Sequence, residues 1–118
     1  MQILPFDFKN QKIRTFLIDN EPWFVAKDIA KVLEIKNISD ALSEFDDDEK
    51  SSIVLNDGTE GNPSKLIISE SGLYSLIMRS RKPVAKPFQK WVTREVLPEI
   101  RKTGSYSLEK EETENYTP

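Results

Sequence analysis

The chain contains neither cysteine nor histidine. Without cysteine there is no disulfide framework, and the common thiolate metal sites are excluded. Without histidine the usual general base of catalysis and the commonest zinc ligand are gone as well. No apolar run at the start resembles a signal peptide, and none approaches the roughly 20 residues that cross a bilayer. The protein is therefore expected in the cytosol. An excess of positive charge is also lacking. The net charge is −3, which taken alone speaks against a nucleic-acid partner.

What is present tells a different story about charge. At 118 residues the chain has room for one hydrophobic core, so one domain with a tail is the expectation. From Asp40 to Glu60 there are eight acids and a single base, Lys50. From Arg79 to Lys102 there are eight bases against Glu95 and Glu99. After Leu108 the chain is acidic again, with Glu109, Glu111, Glu112 and Glu114 facing only Lys110. A field is made by local charge, so a basic lobe can hold phosphate inside a near-neutral domain. The plainer alternative is that these runs are solvated faces that neutralise each other.

Periodicity predicts an α+β fold, with a small antiparallel sheet packed against about four short-to-medium helices. Ile3–Phe8 and Lys12–Ile18 read as strands around Asn10-Gln11. A turn at residues 19–22 leads to a third strand, Trp23-Phe24-Val25, which completes a meander. In the second strand Ile13, Thr15 and Leu17 alternate with Arg14, Phe16 and Ile18, the pattern of a half-buried strand. Ala26–Leu33 reads as a helix with Ile29, Val32 and Leu33 inward and Lys27, Asp28 and Lys31 toward water. A second helix is expected from Ile38 to Phe45, capped by Asn37 or Ser39. The pair has the outline of a helix-turn-helix, although an ordinary helical hairpin fits equally.

Ser52–Leu55 and Lys65–Ser69 should form a later hairpin around a loop at 56–63 rich in turn formers. A third helix follows, capped by Ser69 or Ser71 and buried through Leu73, Leu76 and Ile77. The last helix carries Phe88, Trp91, Val92, Val96 and Ile100 at helical spacing. A late start near Pro87, a kink at Pro98 and a stop at Gly104 are expected. Residues 1–104 then form the domain. Residues 105–118 read as a disordered acidic tail, or a linker to a further C-terminal domain.

Three blocks of sequence carry a family likeness. Residues 20–33, Asn-Glu-Pro-Trp-Phe-Val-Ala-Lys-Asp-Ile-Ala-Lys-Val-Leu, resemble the opening of the Bro-N domain, found at the start of phage antirepressors and of the repeated Bro proteins of insect viruses. Residues 69–77, Ser-Glu-Ser-Gly-Leu-Tyr-Ser-Leu-Ile, and residues 88–104, from Phe88 to Gly104, resemble its second and third blocks. The resemblance implies a DNA-binding α/β domain that acts in the switch between lysis and lysogeny in a bacterial host. The sequence departs from the family pattern at Pro87, and at Glu34-Ile35, where glycine followed by an aromatic is more usual.

Candidate contact residues follow. Lys36, Asn37 and Ser39, at the start of the second helix, have donors suited to base edges; for Asn37 and Ser39, simple capping is the competing reading. Arg79, Arg81, Lys82 and Lys86 crowd together with no acid between them, which points to phosphate contact. Lys90 and Arg94, four residues apart, extend the strip. Trp23, Phe24, Phe88 and Trp91 are assigned to the core rather than to base stacking, and Gly72 to close backbone packing. Asp46-Asp47-Asp48-Glu49 lacks the alternating spacing and glycine of a calcium loop. No nucleophile motif is framed, so the expectation is a non-catalytic domain without metal or cofactor. Its expected partner is double-stranded DNA. The alternative is a protein-interaction module that inactivates a phage repressor without touching DNA, its acidic stretch standing in for nucleic-acid charge. Symmetric operators would favour a homodimer.

Overall fold

In the computed structural model, residues 3–54 and 64–103 are described. Five strands form one antiparallel sheet in the order β1-β2-β3-β5-β4: β1 Ile3–Phe8, β2 Gln11–Ile18, β3 Glu21–Val25, β4 Lys50–Val54 and β5 Ser64–Ser69. The predicted meander is β1-β2-β3, and the later hairpin adds to its β3 edge through β5, with Phe24 opposite Ile68. The two tight turns are two residues each. Lys9-Asn10 and Asp19-Asn20 all take positive φ, between 50° and 69°, the geometry that matches the twist of the strands they join. Leu55, the loop at 56–63, the stop at Gly104 and the tail at 105–118 lie outside the described residues.

Helices cover one face of the sheet: α1 Ala26–Leu33, α2 Ile38–Ala41, α3 Glu70–Arg79, α4 Ala85–Trp91 and α5 Leu97–Thr103. A π-helical turn, Val92–Val96, joins the last two. The main core combines Phe8, Ile13, Phe24 and Ile68 from the sheet with Ile29, Leu33, Leu73, Leu76, Phe88, Val92 and Val96 from the helices. Aromatic edges fasten α4 to β1. Phe8 lies 5.1 Å from both Phe88 and Trp91, ring centre to ring centre, and Phe88 stacks on Trp91 at 5.7 Å. Such pairs add about 0.5–1.5 kcal/mol each beyond their buried area. The aromatics assigned to packing do pack, with Phe24 and Phe88 fully buried.

Several local expectations change. β2 is not half wet: residues Ile13, Arg14, Thr15 and Phe16 are all buried. Ile13 meets the helices, whereas Phe16 joins Val25 and Ile67 in a second cluster. The last helix starts two residues before Pro87, because a first-turn proline gives up an N–H that has no intrahelical partner anyway. Near Pro98 the distortion takes the form of the π turn, in which the Leu97 N–H bonds to the Val92 carbonyl. α2 ends at Ala41 instead of running to Phe45. Beyond it the chain tightens into i→i+3 turns, Ser43 N–H to the Asp40 carbonyl and Phe45 N–H to that of Leu42, both at 3.1 Å. The same carbonyls also accept from Ser43 Oγ at 2.8 Å and Lys50 Nζ at 3.1 Å.

Candidate nucleic-acid interface

The turn between α1 and α2 is built from left-handed backbone and a cap. Glu34 ends α1 at φ 58°, ψ 44° and returns its N–H to the Ala30 carbonyl. Glycine takes this conformation without penalty and glutamate does not, so the departure from the usual glycine falls on the residue where it costs most. Asn37 caps α2, its side-chain oxygen accepting from the Asp40 N–H at 3.0 Å. The capping reading of Asn37 is therefore seen directly, and the cap uses only the oxygen, so the amide NH₂ keeps its capacity to donate. Lys36 and Ser39 are exposed beside it.

The α3–α4 junction comes down against this turn. Ser69 caps α3 by accepting from the Gly72 N–H. Gly72 is required by contact: a Cβ there would meet the Glu49 carbonyl oxygen at 2.9 Å and the Phe45 ring at 3.1 Å. At the far end of α3, Arg79 lies over the Phe45 ring, 5.4 Å from its centre, and reaches the Ala41 carbonyl at 3.5 Å. Lys82 Nζ sits 3.3 Å from a Glu34 carboxylate oxygen. Leu33, Glu34, Ala41, Leu76, Arg79 and Arg81 line a shallow hollow of about 260 Å³ between the two segments.

The fold thus brings Arg79, Arg81 and Lys82 beside the α1–α2 turn. The expected quartet without an acid is corrected at Lys82, because the turn delivers Glu34 from 48 positions earlier in the chain. Arg81, Lys86, Lys90 and Arg94 are exposed, and among the described residues none of them is ion-paired. Lys86, Lys90 and Arg94 step by four along α4 and the π turn, opposite the buried Ala85, Phe88 and Val92. Lys36, Asn37 and Ser39 do not line the hollow. Lys36 opens onto another groove, shared with Lys27, Lys31 and Lys65.

One charged contact has no counterpart among the expectations. Asp28, expected in water beside Lys27 and Lys31, is 4 % exposed. It accepts from Arg14 three times: from the backbone N–H at 2.9 Å, and from Nε and Nη2 at 2.8 Å each. A bidentate pair of this kind joins β2 to the first turn of α1. The only trace in the sequence is an arginine between the apolar Ile13 and Phe16 of β2.

Elsewhere, carboxylate oxygens of Asp46, Asp48 and Glu49 lie within 4.8 Å of one another. Glu49 already serves the fold there, accepting from the Asp46 N–H and from Ser71 Oγ. Burial, reinforced by Glu70 and opposed by Arg101, raises the Tyr74 phenol above its ordinary pKa. Among the described residues no helix is long and apolar enough to cross a membrane.

The profile of a family described as "BRO family, N-terminal domain" matches residues 12–98. A Haemophilus influenzae protein is 36 % identical over 110 residues, covering 92 % of this chain and 55 % of that protein. A putative Bro-N domain-containing protein of Invertebrate iridescent virus 6 is 41 % identical over 108 residues, covering 76 % of this chain and 26 % of its own length. A Bro-N domain-containing protein of Autographa californica nuclear polyhedrosis virus is 31 % identical over 104 residues, or 75 % of this chain and 32 % of that protein. The chain therefore spans between about a quarter and about half of these relatives. No solved structure gives a significant match.

Proposed function

The chain belongs to the Bro-N family, and from that premise we propose that it is a non-catalytic DNA-binding regulatory domain of the phage antirepressor type, acting in the choice between lysis and lysogeny. One observation carries the reading. In a chain of net charge −3, Arg81, Lys86, Lys90 and Arg94 stand exposed along the junction and the last helix, and no described carboxylate pairs with them. Unpaired cations gathered along one stretch of chain favour a phosphate backbone, since each contact releases counterions from the duplex. Arg79 and Lys82 reach the turn and supply charge at its edge. Lys36, the amide NH₂ of Asn37 and Ser39 then offer donors for base edges.

Fluorescence anisotropy with labelled duplexes at several salt concentrations tests this. Affinity should fall steeply with salt. The double reversal Arg81→Glu/Lys86→Glu should weaken binding to every sequence alike and flatten the salt slope by roughly one for each phosphate that the variant no longer neutralises. A chain that binds no duplex even at low salt ends the proposal.

A second reading has its own observation. Asp19, Glu21, Asp47 and Asp48 surround Ile18, Trp23, Ile53 and Ile67 on the sheet face away from the helices. An acidic rim around an apolar floor suits a basic, partly apolar protein segment, such as one from a repressor. Co-purification with the cognate repressor, abolished by Asp47→Lys/Asp48→Lys, is the expected result under that reading. An unchanged complex removes it.

A further inference from the structure

We propose that the groove rimmed by Lys27, Lys31, Lys36 and Lys65 seats one sugar–phosphate strand of a DNA duplex, a proposal that rests on the DNA-binding reading and gives it a face. The groove measures about 470 Å³ and is floored by Val25, Ala30, Ile35, Ile38 and Leu66. Among the described residues four lysines line it and no carboxylate does.

That purity is made by the fold. In the sequence Lys27 adjoins Asp28, and Glu34 follows Lys31 by three, so α1 together with its cap residue Glu34 reads as neutral. Arg14 draws Asp28 into the interior, and Lys82 draws Glu34 to the opposite side of the turn. What stays on the outer face of α1 is Lys27 and Lys31, both exposed. β5 adds Lys65 and the turn adds Lys36. None of the four has an ion-pair partner among the described residues. Four like charges around one groove repel each other, and an anion relieves that repulsion.

The geometry suits a strand of phosphates. Lys27 and Lys31 are one helical turn apart, about 6 Å along the axis, on the scale of the axial rise of two base steps of a duplex, about 3.4 Å each. Lysine stems lie along an apolar floor while their heads reach outward. The groove also runs into the α1–α2 turn, since Ile35, Lys36 and Ile38 line it. A backbone seated there would bring base edges toward Asn37 and Ser39. An acidic amphipathic peptide shares part of this chemistry and is one outcome of the test.

The experiment uses the full chain and three probes: a labelled duplex of mixed sequence, the matching single strand, and a glutamate-rich amphipathic peptide. Lys27→Gln/Lys65→Gln is compared with Lys90→Gln/Arg94→Gln; Lys27, Lys90 and Arg94 are exposed and Lys65 is half-buried, and a thermal melt confirms folding of each variant. The groove variant is expected to lose about tenfold or more in duplex affinity near 0.1 M salt, with the salt slope reduced by about two. If the wild-type chain binds the duplex and the groove variant binds it equally well with an unchanged slope, the groove is overturned and the family reading stands. If the wild-type chain binds no duplex, both fall. A groove variant that loses only the single strand or only the peptide overturns the duplex as occupant.

Discussion

α1 meets a cation at each end, once in the interior and once in water. At its start Arg14 Nη2 lies 2.8 Å from Asp28, with side chains 11 % and 5 % exposed. Just past its end Lys82 lies 3.3 Å from Glu34, with side chains 49 % and 64 % exposed. The chemistry is the same and the consequences differ. The interior pair has lost its water, so each member depends on the other, and it fixes how α1 leaves the sheet. The outer pair keeps most of its hydration and contributes little to stability. Its effect lies in placement: it holds Glu34, the acid just past α1, on the junction side and neutralises one cation of the junction.

The largest effect should come from breaking the interior pair on one side only. Arg14→Met leaves a buried carboxylate without its counter-charge, and a loss of about 3–5 kcal/mol is expected in urea unfolding. Adding Asp28→Asn should restore much of it, because the new amide oxygen still accepts from the residue 14 backbone N–H while the stranded charge is gone. A single variant that unfolds like the wild type would show that the two ends of α1 do not differ in kind.

Next in size is a test of how closely the interior is packed. Gly72→Ala brings a Cβ to 2.9 Å from the Glu49 carbonyl oxygen. That carbonyl is itself held by the Ser69 N–H at 3.0 Å, so it cannot yield freely. A cost of about 1–3 kcal/mol is expected, which outweighs the roughly 1 kcal/mol that alanine gains over glycine in a helix. A stabilised Gly72→Ala would mean the seam between α3 and the segment Phe45–Glu49 is looser than its distances say.

The interior also has a flaw next to its strongest contact. Thr15 is fully buried on β2, and among the described residues its hydroxyl has no hydrogen-bond partner. Thr15→Val keeps the shape and removes the orphaned group, so the chain should gain about 1 kcal/mol. A loss instead would mean that the hydroxyl is satisfied.

The contrast between the two pairs also explains what can be read from the sequence. The meander, α1 and α3 are legible because Ile29, Val32 and Leu33, or Leu73, Leu76 and Ile77, repeat at the period of the element they build. Gly72 is legible because glycine just after a cap has few other reasons to be there. The Arg14–Asp28 pair is not, since it joins residues 14 apart whose neighbours look like ordinary surface and strand. The lysine groove is hidden for the same reason: Lys27 and Lys31 stand at helical spacing in plain sight, but only the fold removes the acids between and after them. The length of α2 escapes the periodicity because the backbone past Ala41 tightens into i→i+3 turns whose carbonyls Ser43 Oγ and Lys50 Nζ also reach, and no local pattern announces that.

The smallest effect belongs to the outer pair, and two substitutions at one position separate its parts. Glu34→Gln removes the charge and keeps a side chain at φ 58°. It should cost less than about 1 kcal/mol, and that cost should vanish near 1 M salt, where screening reaches about 3 Å. Glu34→Gly removes the same charge and also the left-handed strain. It should therefore melt above Glu34→Gln, by about 1 kcal/mol, after allowing for glycine's greater freedom in the unfolded chain. Because the interior pair excludes water, the Arg14→Met defect should persist across the same salt range. If instead Glu34→Gln proved as damaging as Arg14→Met, or equally indifferent to salt, the outer pair would be a structural pin like the inner one. The junction would then be anchored at Lys82 rather than resting lightly there.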